Sequence, residues 1–187
     1  MNTLATVLVV IGAVVALFLV YVATRPSDFK VSRSATIAAP ASLVFPQVND
    51  LHKWEAWSPW AKMDPNAKTT YDGPPAGVGA AFAWSGNNKI GQGRMTITDS
   101  RPNEMVQFRL DFEKPMKGTN VATFAFQPAG DSATVTWTMT GQYNFMGKLF
   151  NVIINCDKMC ASQFDKGLAD MKTIAEQSAR AEMASAR

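Results

Sequence analysis

The hydrophobic period of this chain changes near residue 142. Before that point, seven segments alternate apolar and polar residues, which is the pattern of half-buried strands. They are Phe29–Ala38, Lys68–Asp72, Gly79–Ser85, Gly91–Ser100, Glu104–Glu113, Thr119–Gln127 and Ala133–Gly141. Later, between Leu149 and Met171, apolar residues recur every three or four positions. This second spacing predicts one long amphipathic helix about six turns in length, with Asn144 as its N-cap.

The order of these segments restricts the fold class. Short, turn-like links join the later strands, such as Arg101-Pro102-Asn103, so neighbouring strands are expected to pair antiparallel. The apolar face of the sheet must be covered, and the long terminal helix offers the stripe for it. Two short helices between residues 40 and 60 complete the pattern. The prediction is an α+β fold with a seven-stranded curved antiparallel sheet around a long C-terminal helix. Because such a sheet twists and curls, a hollow between sheet and helix is expected.

An uncharged apolar run precedes this domain. Thr3 to Thr24 would extend about 33 Å as a helix, enough to cross a bilayer core. A cleaved signal peptide is the alternative, but no basic segment precedes the run and no clear cleavage site follows it. The sequence therefore favours a retained transmembrane helix. Arg25, Lys30 and Arg33 follow it, so the positive-inside rule places the domain in the cytoplasm of a single-pass membrane protein.

Charge argues against one class of partner. The chain has a net charge of +3 and no Lys/Arg-rich run, which does not favour nucleic-acid binding. The oligomeric state is left open.

Several stretches resemble a known family. They are Leu43-Val44-Phe45 with Val48-Asn49-Asp50, Trp54-Glu55-Ala56-Trp57-Ser58-Pro59-Trp60, the Gly/Pro-rich segment 71–79, Trp84-Ser85-Gly86-Asn87, Trp137-Thr138-Met139-Thr140-Gly141, and Asp157-Lys158 followed by Phe164 and Gly167-Leu168. They look like the polyketide cyclase/dehydrase-type SRPBCC proteins of the START-like superfamily. The resemblance implies a helix-grip fold. The expected organisation is a transmembrane anchor (1–24), a linker (25–28), a START-like domain (29–177) and a polar tail (178–187).

The candidate site is the hollow itself. Its expected lining is apolar and aromatic, as in most small-molecule pockets. The residues are Trp57, Trp60, Phe82, Trp84, Met95, Phe108, Leu110, Phe124, Trp137, Met139, Ile153, Cys156, Cys160 and Phe164. The same pattern is typical of a filled core, and the sequence does not separate the two interpretations. The tryptophans of residues 54–60 are equally ambiguous, since they fit either a lid over the hollow or the core.

Catalytic and metal chemistry find little support. His52 is a lone histidine beside a helix cap. Arg33 falls on the apolar side of its strand, which indicates either a polar group in the hollow or a bulge in the strand. Cys156 and Cys160 share a helix face but lack further metal ligands nearby, so they are interpreted as small core residues. No catalytic residue, metal or cofactor is predicted.

The leading hypothesis is a membrane-anchored, non-enzymatic binder or carrier of a hydrophobic small molecule or lipid. The alternative is a polyketide cyclase/dehydratase-like enzyme that uses the same cavity. A weaker third hypothesis is a groove that binds a partner peptide or helix.

Overall fold

The computed structural model describes residues 2–185 and contains the predicted elements. In chain order they are α1 (Thr3–Thr24), β1 (Asp28–Ile37), α2 (Ala41–Asn49), a 3-10 turn (Leu51–Lys53), α3 (Trp54–Trp57), β2 (Lys68–Asp72), β3 (Ala81–Ser85), β4 (Gln92–Arg101), β5 (Met105–Lys114), β6 (Gly118–Ala129), β7 (Ser132–Gln142), α4 (Phe145–Ile154) and α5 (Cys156–Ser185).

All seven strands form one antiparallel sheet in the order β1-β7-β6-β5-β4-β3-β2. Strands β2 to β7 follow one another as hairpins, and β1 pairs with β7 at the other side. Two register shifts between β4 and β5, after Gln92 and after Ile97, are the kind of irregularity that bends a sheet. The predicted fold class is confirmed.

The two faces of the sheet differ in chemistry. On the outer face, hydroxyl groups of β1 and β7 form cross-strand hydrogen bonds, at 2.8 Å between Ser32 and Thr138 and 2.9 Å between Ser34 and Thr136. On the inner face, the alternate residues of the same strands are apolar except for Arg33, and α2, α3 and α5 cover this apolar face. The period-two pattern therefore separates a polar surface from a core, as the sequence indicates.

Helix α5 lies directly on the inner face. The ring of Phe164 stacks on that of Trp137 with centroids 4.0 Å apart and planes only 7° from parallel. One turn later, Gly167 lets the helix approach closely, because a Cβ there would lie 3.0 Å from the Trp137 ring and 3.1 Å from Pro59. The unusual glycine inside the helix thus has a packing role.

The single terminal helix predicted from the sequence is two helices. Asn155 between them has left-handed backbone angles (φ 51°) and ends α4. Asp157 then accepts hydrogen bonds from the Tyr143 hydroxyl (2.8 Å) and from the Asn151 amide (3.0 Å), which stabilises the break. The predicted N-cap is present, since Asn144 Oδ1 accepts from the Gly147 amide at 2.8 Å.

Helix α5 also extends further than predicted. The expected polar tail is helical through Ser185, and Ala179 within it is buried. Its last two positions, 186–187, lie outside the described residues.

Helix α1 projects from the domain with its large apolar side chains exposed, apart from Val22 near its end. Its length and a mean hydropathy of 2.8 are sufficient to cross a membrane. Val22 is completely buried where α1 meets α4. The linker is also held, because the Tyr143 amide donates to the Ser27 carbonyl at 2.8 Å.

The tight contact at Gly167 gives a testable expectation. Gly167→Val should lower the free energy of unfolding by about 1–3 kcal/mol, because its methyl groups would overlap Trp137 and Pro59. Ala169→Val, on the exposed side of the same helix, is the matched control and should cost only about 0.5 kcal/mol through helix propensity. Chemical denaturation followed by near-UV circular dichroism measures both, and equal losses would contradict the contact.

Candidate functional site

The inner face of the sheet has two ends with different degrees of cover. The distal end is where β1 finishes at Ile37 and α2 begins. The proximal end is where β1 starts at Asp28, directly after α1 and the linker. Because the strands are antiparallel, β7 finishes at the proximal end and α4 and the start of α5 follow it there.

The distal end is solidly packed. Trp54 and Trp57 are buried there, and their indole N–H groups donate to the carbonyls of Val48 and Gln47, both at 2.9 Å. The Trp54 ring contacts Phe108 at a centroid distance of 5.2 Å and Phe124 at 5.7 Å, edge to face. These rings interlock with the Trp137–Phe164 stack. This end is an aromatic core.

At the proximal end the covering helices leave apolar side chains partly exposed. We name this region the proximal groove and define it by Trp60, Phe82, Trp84, Leu110, Met139 and Cys160, all half-buried. Strand register makes its floor continuous, since Phe82 pairs with Met95 and Met95 with Leu110. Cys160 lies one helical turn before Phe164, on the α5 face that packs against the sheet. Helix α5 runs along β1 at one side of this floor and contributes Cys160 to the groove.

A few polar groups lie in or beside this apolar region. The Asn120 amide lies 4.0 Å from the Met139 sulfur on the floor. Tyr143 and Asp157 form the hydrogen-bonded pair at the start of α5, and burial raises the pKa of the Tyr143 phenol, with the hydrogen bond to Asp157 as the second cause. Within residues 2–185, Trp137 Nε1 is a buried nitrogen with no hydrogen-bond partner. Such an atom costs about 1–3 kcal/mol unless something pairs with it.

The predicted lining residues separate into three groups in the structure. The distal core takes Trp57, Phe108, Phe124, Trp137 and Phe164, and Met95 is buried between Phe82 and Leu110 in the floor of the proximal groove. The proximal groove takes Trp60, Phe82, Trp84, Leu110, Met139 and Cys160. Cys156 is half-buried at the first residue of α5, and Ile153 lies on the exposed side of α4, away from the groove. Sequence parity identified the inner face correctly but not how much of it α5 covers.

Neither polar candidate lies in the groove. The backbone at Arg33 keeps the regular strand register, without a bulge. Its Nε lies 3.2 Å from Oδ2 of Asp165 on α5, and both side chains are exposed. His52 is exposed, stacks on Tyr71 with centroids 4.0 Å apart, and lies 3.4 Å from the Asp50 carboxylate. Both hypotheses about Arg33 were therefore wrong. The sequence did not indicate Asp165, an acidic residue of α5 that forms an ion pair with the basic residue of the edge strand.

Two surface depressions lie outside the space between α5 and the sheet. One, of about 590 Å³, lies at the ends of β1, β6 and β7 and includes Lys30 and Thr140. The other, of about 450 Å³, lies beside His52 and Tyr71. Neither of these depressions is the proximal groove itself.

The comparisons with known proteins agree on the fold. The family model described as polyketide cyclase / dehydrase and lipid transport matches residues 28–176. No curated protein sequence matches the chain significantly.

Solved structures superpose at low identity. Protein MLL2253 from Mesorhizobium loti has a TM-score of 0.60 at 14% identity, over 80% of this chain and 98% of that one. The Aha1 dimer from Colwellia psychrerythraea has a TM-score of 0.57 at 14% identity, over 79% and 96% of the two chains. DynU16, from the dynemicin biosynthetic locus, has a TM-score of 0.55 at 12% identity, over 80% of this chain and 48% of that one. At these identities the likeness shows the fold alone.

The two thiols provide a probe of the groove. Burial raises the pKa of Cys160 to about 12, and the pKa of Cys156 is raised for the same main reason. Because the thiolate is the reactive form, alkylation of Cys160 should be slow at neutral pH and rise about tenfold per pH unit beyond pH 9, without the plateau of an ordinary thiol whose pKa is about 8.5. Peptide mass spectrometry after iodoacetamide pulses measures this rate. The denatured chain is the control, and a plateau near pH 9 in the folded chain would contradict the burial.

Proposed function

This chain belongs to the polyketide cyclase/dehydrase and lipid transport family, and we propose that it is a membrane-anchored domain that binds a hydrophobic small molecule or lipid in the proximal groove. The family and the fold are consistent with a hydrophobic ligand.

The main support for the proposal is that the inner face of the sheet is buried at one end and only half-buried at the other. Along β5 the inward residues Val106 and Phe108 are completely buried, while Leu110 farther along the same strand is half-buried. Along β7 the same change occurs between Trp137 and Met139. Full burial of such a side chain contributes about 1.5–3 kcal/mol relative to full exposure, and a half-buried one forgoes part of this free energy. An apolar guest would recover part of this free energy, which is the usual character of a small-molecule site.

A hydrogen-bond donor without a partner also supports a ligand-binding role. The unpaired Nε1 of Trp137 belongs to a ring whose strand neighbour on the inner face is Met139 of the groove floor. Small-molecule sites commonly combine an apolar lining with one or two placed donors or acceptors. We propose that an oxygen of the guest accepts this hydrogen bond once the side chains have moved.

The enzyme alternative has weaker support. A cyclase or dehydratase mechanism needs an acid–base group in contact with the substrate. His52 and Arg33 are exposed outside the groove. The phenol at the groove edge, Tyr143, has a raised pKa and stays protonated at neutral pH. Binding without catalysis is therefore the function that the groove favours.

The location follows from α1, which we propose is a retained anchor. A cleaved signal sequence also fits the length and hydropathy of this helix. Val22, however, is completely buried against the domain, and its removal would expose the site it fills. Arg25, Lys30 and Arg33 follow the helix, so we propose that the domain faces the cytoplasm.

Photolabelling of the full chain tests the ligand proposal. The protein is reconstituted in phosphatidylcholine nanodiscs with a diazirine-bearing fatty acid and irradiated, and labelled peptides are mapped by mass spectrometry. We expect labels on the peptides that contain Leu110, Met139 and Cys160, in addition to labels on α1 from the bilayer. Met139→Trp should fill the groove and reduce labelling of β5 and α5 about tenfold, a loss of roughly 1.4 kcal/mol in binding.

Thr140→Trp is the matched control, since Thr140 is exposed on the opposite face of the same strand. It should leave the labelling unchanged. Labels confined to α1 in the unmodified chain would rule out the groove while leaving the anchor intact.

Reporter fusions test the orientation. Green fluorescent protein joined after Arg187 should fluoresce in a bacterial host, and alkaline phosphatase at the same position should be inactive, because the basic residues after α1 retain this side in the cytoplasm. The membrane fraction should retain the fusion after alkaline carbonate washing. The opposite pair of activities would overturn the proposed orientation.

A further inference from the structure

Helix α4 has an apolar face that the domain does not cover. Its five outward side chains are between 40% and 63% exposed and none is polar: Phe145, Met146, Phe150, Ile153 and Ile154. The opposite side of the helix, with Gly147 and Asn151, faces the domain. Exposed apolar side chains gathered on one short helix, rather than scattered singly, mark an interaction surface.

The position of α4 is set by its contacts with α1. The two helices pack together where Val22 is buried, and Lys148 Nζ donates to the Ala23 carbonyl at 3.4 Å. Because 22 residues of helix extend about 33 Å, these residues at the end of α1 lie at the boundary of the bilayer that α1 would span. Tyr21, with the Arg25 guanidinium 5.6 Å from its ring centre, has the chemistry of the same boundary.

We propose that α4 is an interfacial helix, with its exposed face inserted in the leaflet next to the end of α1. The inference rests on the proposed anchor and adds a second membrane contact to it. An amphipathic helix in this position buries its apolar face about 5–10 Å into the headgroup and acyl boundary. The exposed face of α4 therefore contacts lipid, because the adjacent α1 places this helix next to the bilayer.

The charges around α4 suit this position. Lys148 is the one charged residue among Phe145–Ile154, and it lies on the inner side, directed to α1. Lys158 in the first turn of α5 is exposed. The nearby carboxylate, Asp157, is half-buried and accepts hydrogen bonds from Tyr143 and Asn151, so it is turned away from the lipid face. The exposed Lys158 at the rim also favours anionic lipid headgroups.

Insertion of α4 would link the groove to the bilayer. The network of Asn151, Tyr143 and Asp157 joins α4 to the end of β7 and to the start of α5, the helix that contributes Cys160 to the proximal groove. The groove end of the sheet is then held against the leaflet, and an apolar guest could pass between them without crossing water.

Depth-dependent quenching in the full chain tests this inference. Cys156 and Cys160 are replaced by Ala, and single cysteines labelled with the fluorophore NBD are placed at Ile153→Cys and, as a second site on the same face, Met146→Cys. The liposomes contain phosphatidylcholine and phosphatidylglycerol, with a nitroxide either near the headgroup end or near the methyl end of the acyl chain. Both labels should be blue-shifted and quenched about twofold more strongly by the shallow nitroxide, as the expected depth requires.

Two control positions separate the possible failures. Ala169→Cys, exposed on α5, should be quenched by neither lipid, and Val10→Cys, in the middle of α1, should be quenched most by the deep nitroxide. If the labels on α4 behave like the label at position 169 while position 10 is quenched, the interfacial helix is overturned and the anchor stands. If position 10 is not quenched either, the anchor proposal fails first. Protection of α4 that depends on protein concentration, without quenching, would mean that a second copy covers this face and would also overturn the inference.

Discussion

The contact between α5 and the sheet is the constraint on which the rest of the molecule depends. It is concentrated at the stack of Phe164 on Trp137 and at the close approach that Gly167 allows. Once the helix is held at this point, its remaining course decides which inner side chains are covered. Toward the distal end α5 continues to Ala175 and Ala179, both buried, and the core is closed. Toward the proximal end the helix stops at Cys156, and the inner face is left partly open.

This asymmetry gives the domain two ends with different physical properties. The distal end is stabilised by interlocked aromatic rings from α3 and the central strands, with their indole nitrogens hydrogen-bonded to backbone carbonyls. The proximal end combines half-buried apolar residues, an apolar short helix and the base of α1. Apolar surface that the domain leaves uncovered is thus gathered at the end where the apolar N-terminal helix is attached. A hydrophobic guest and a lipid surface are the two occupants that match this chemistry.

The break between α4 and α5 shows where reasoning from sequence reaches its limit. The apolar spacing runs through Ile153 and Cys156 without interruption, so it predicts a single helix. The break depends on Asn155 adopting left-handed angles and on Asp157 meeting Tyr143 and Asn151, which are partners brought together by β7 and α4. Arg33 is a similar case. Its parity places it on the inner face, but its location at the edge of β1 lets the side chain reach Asp165 on the helix surface.

The sequence by itself determined the seven strands, the inner and outer faces of each, the covering helix and the apolar N-terminal span, because these depend on local periodicity and on the length of an uncharged run. It also identified nearly all of the inward residues. Only the tertiary structure decided which of them form a closed core and which form a groove. That division depends on where α5 ends and how closely it approaches Trp137, and both are set by contacts between residues far apart in the chain, such as Pro59 with Gly167 and Tyr143 with Asp157.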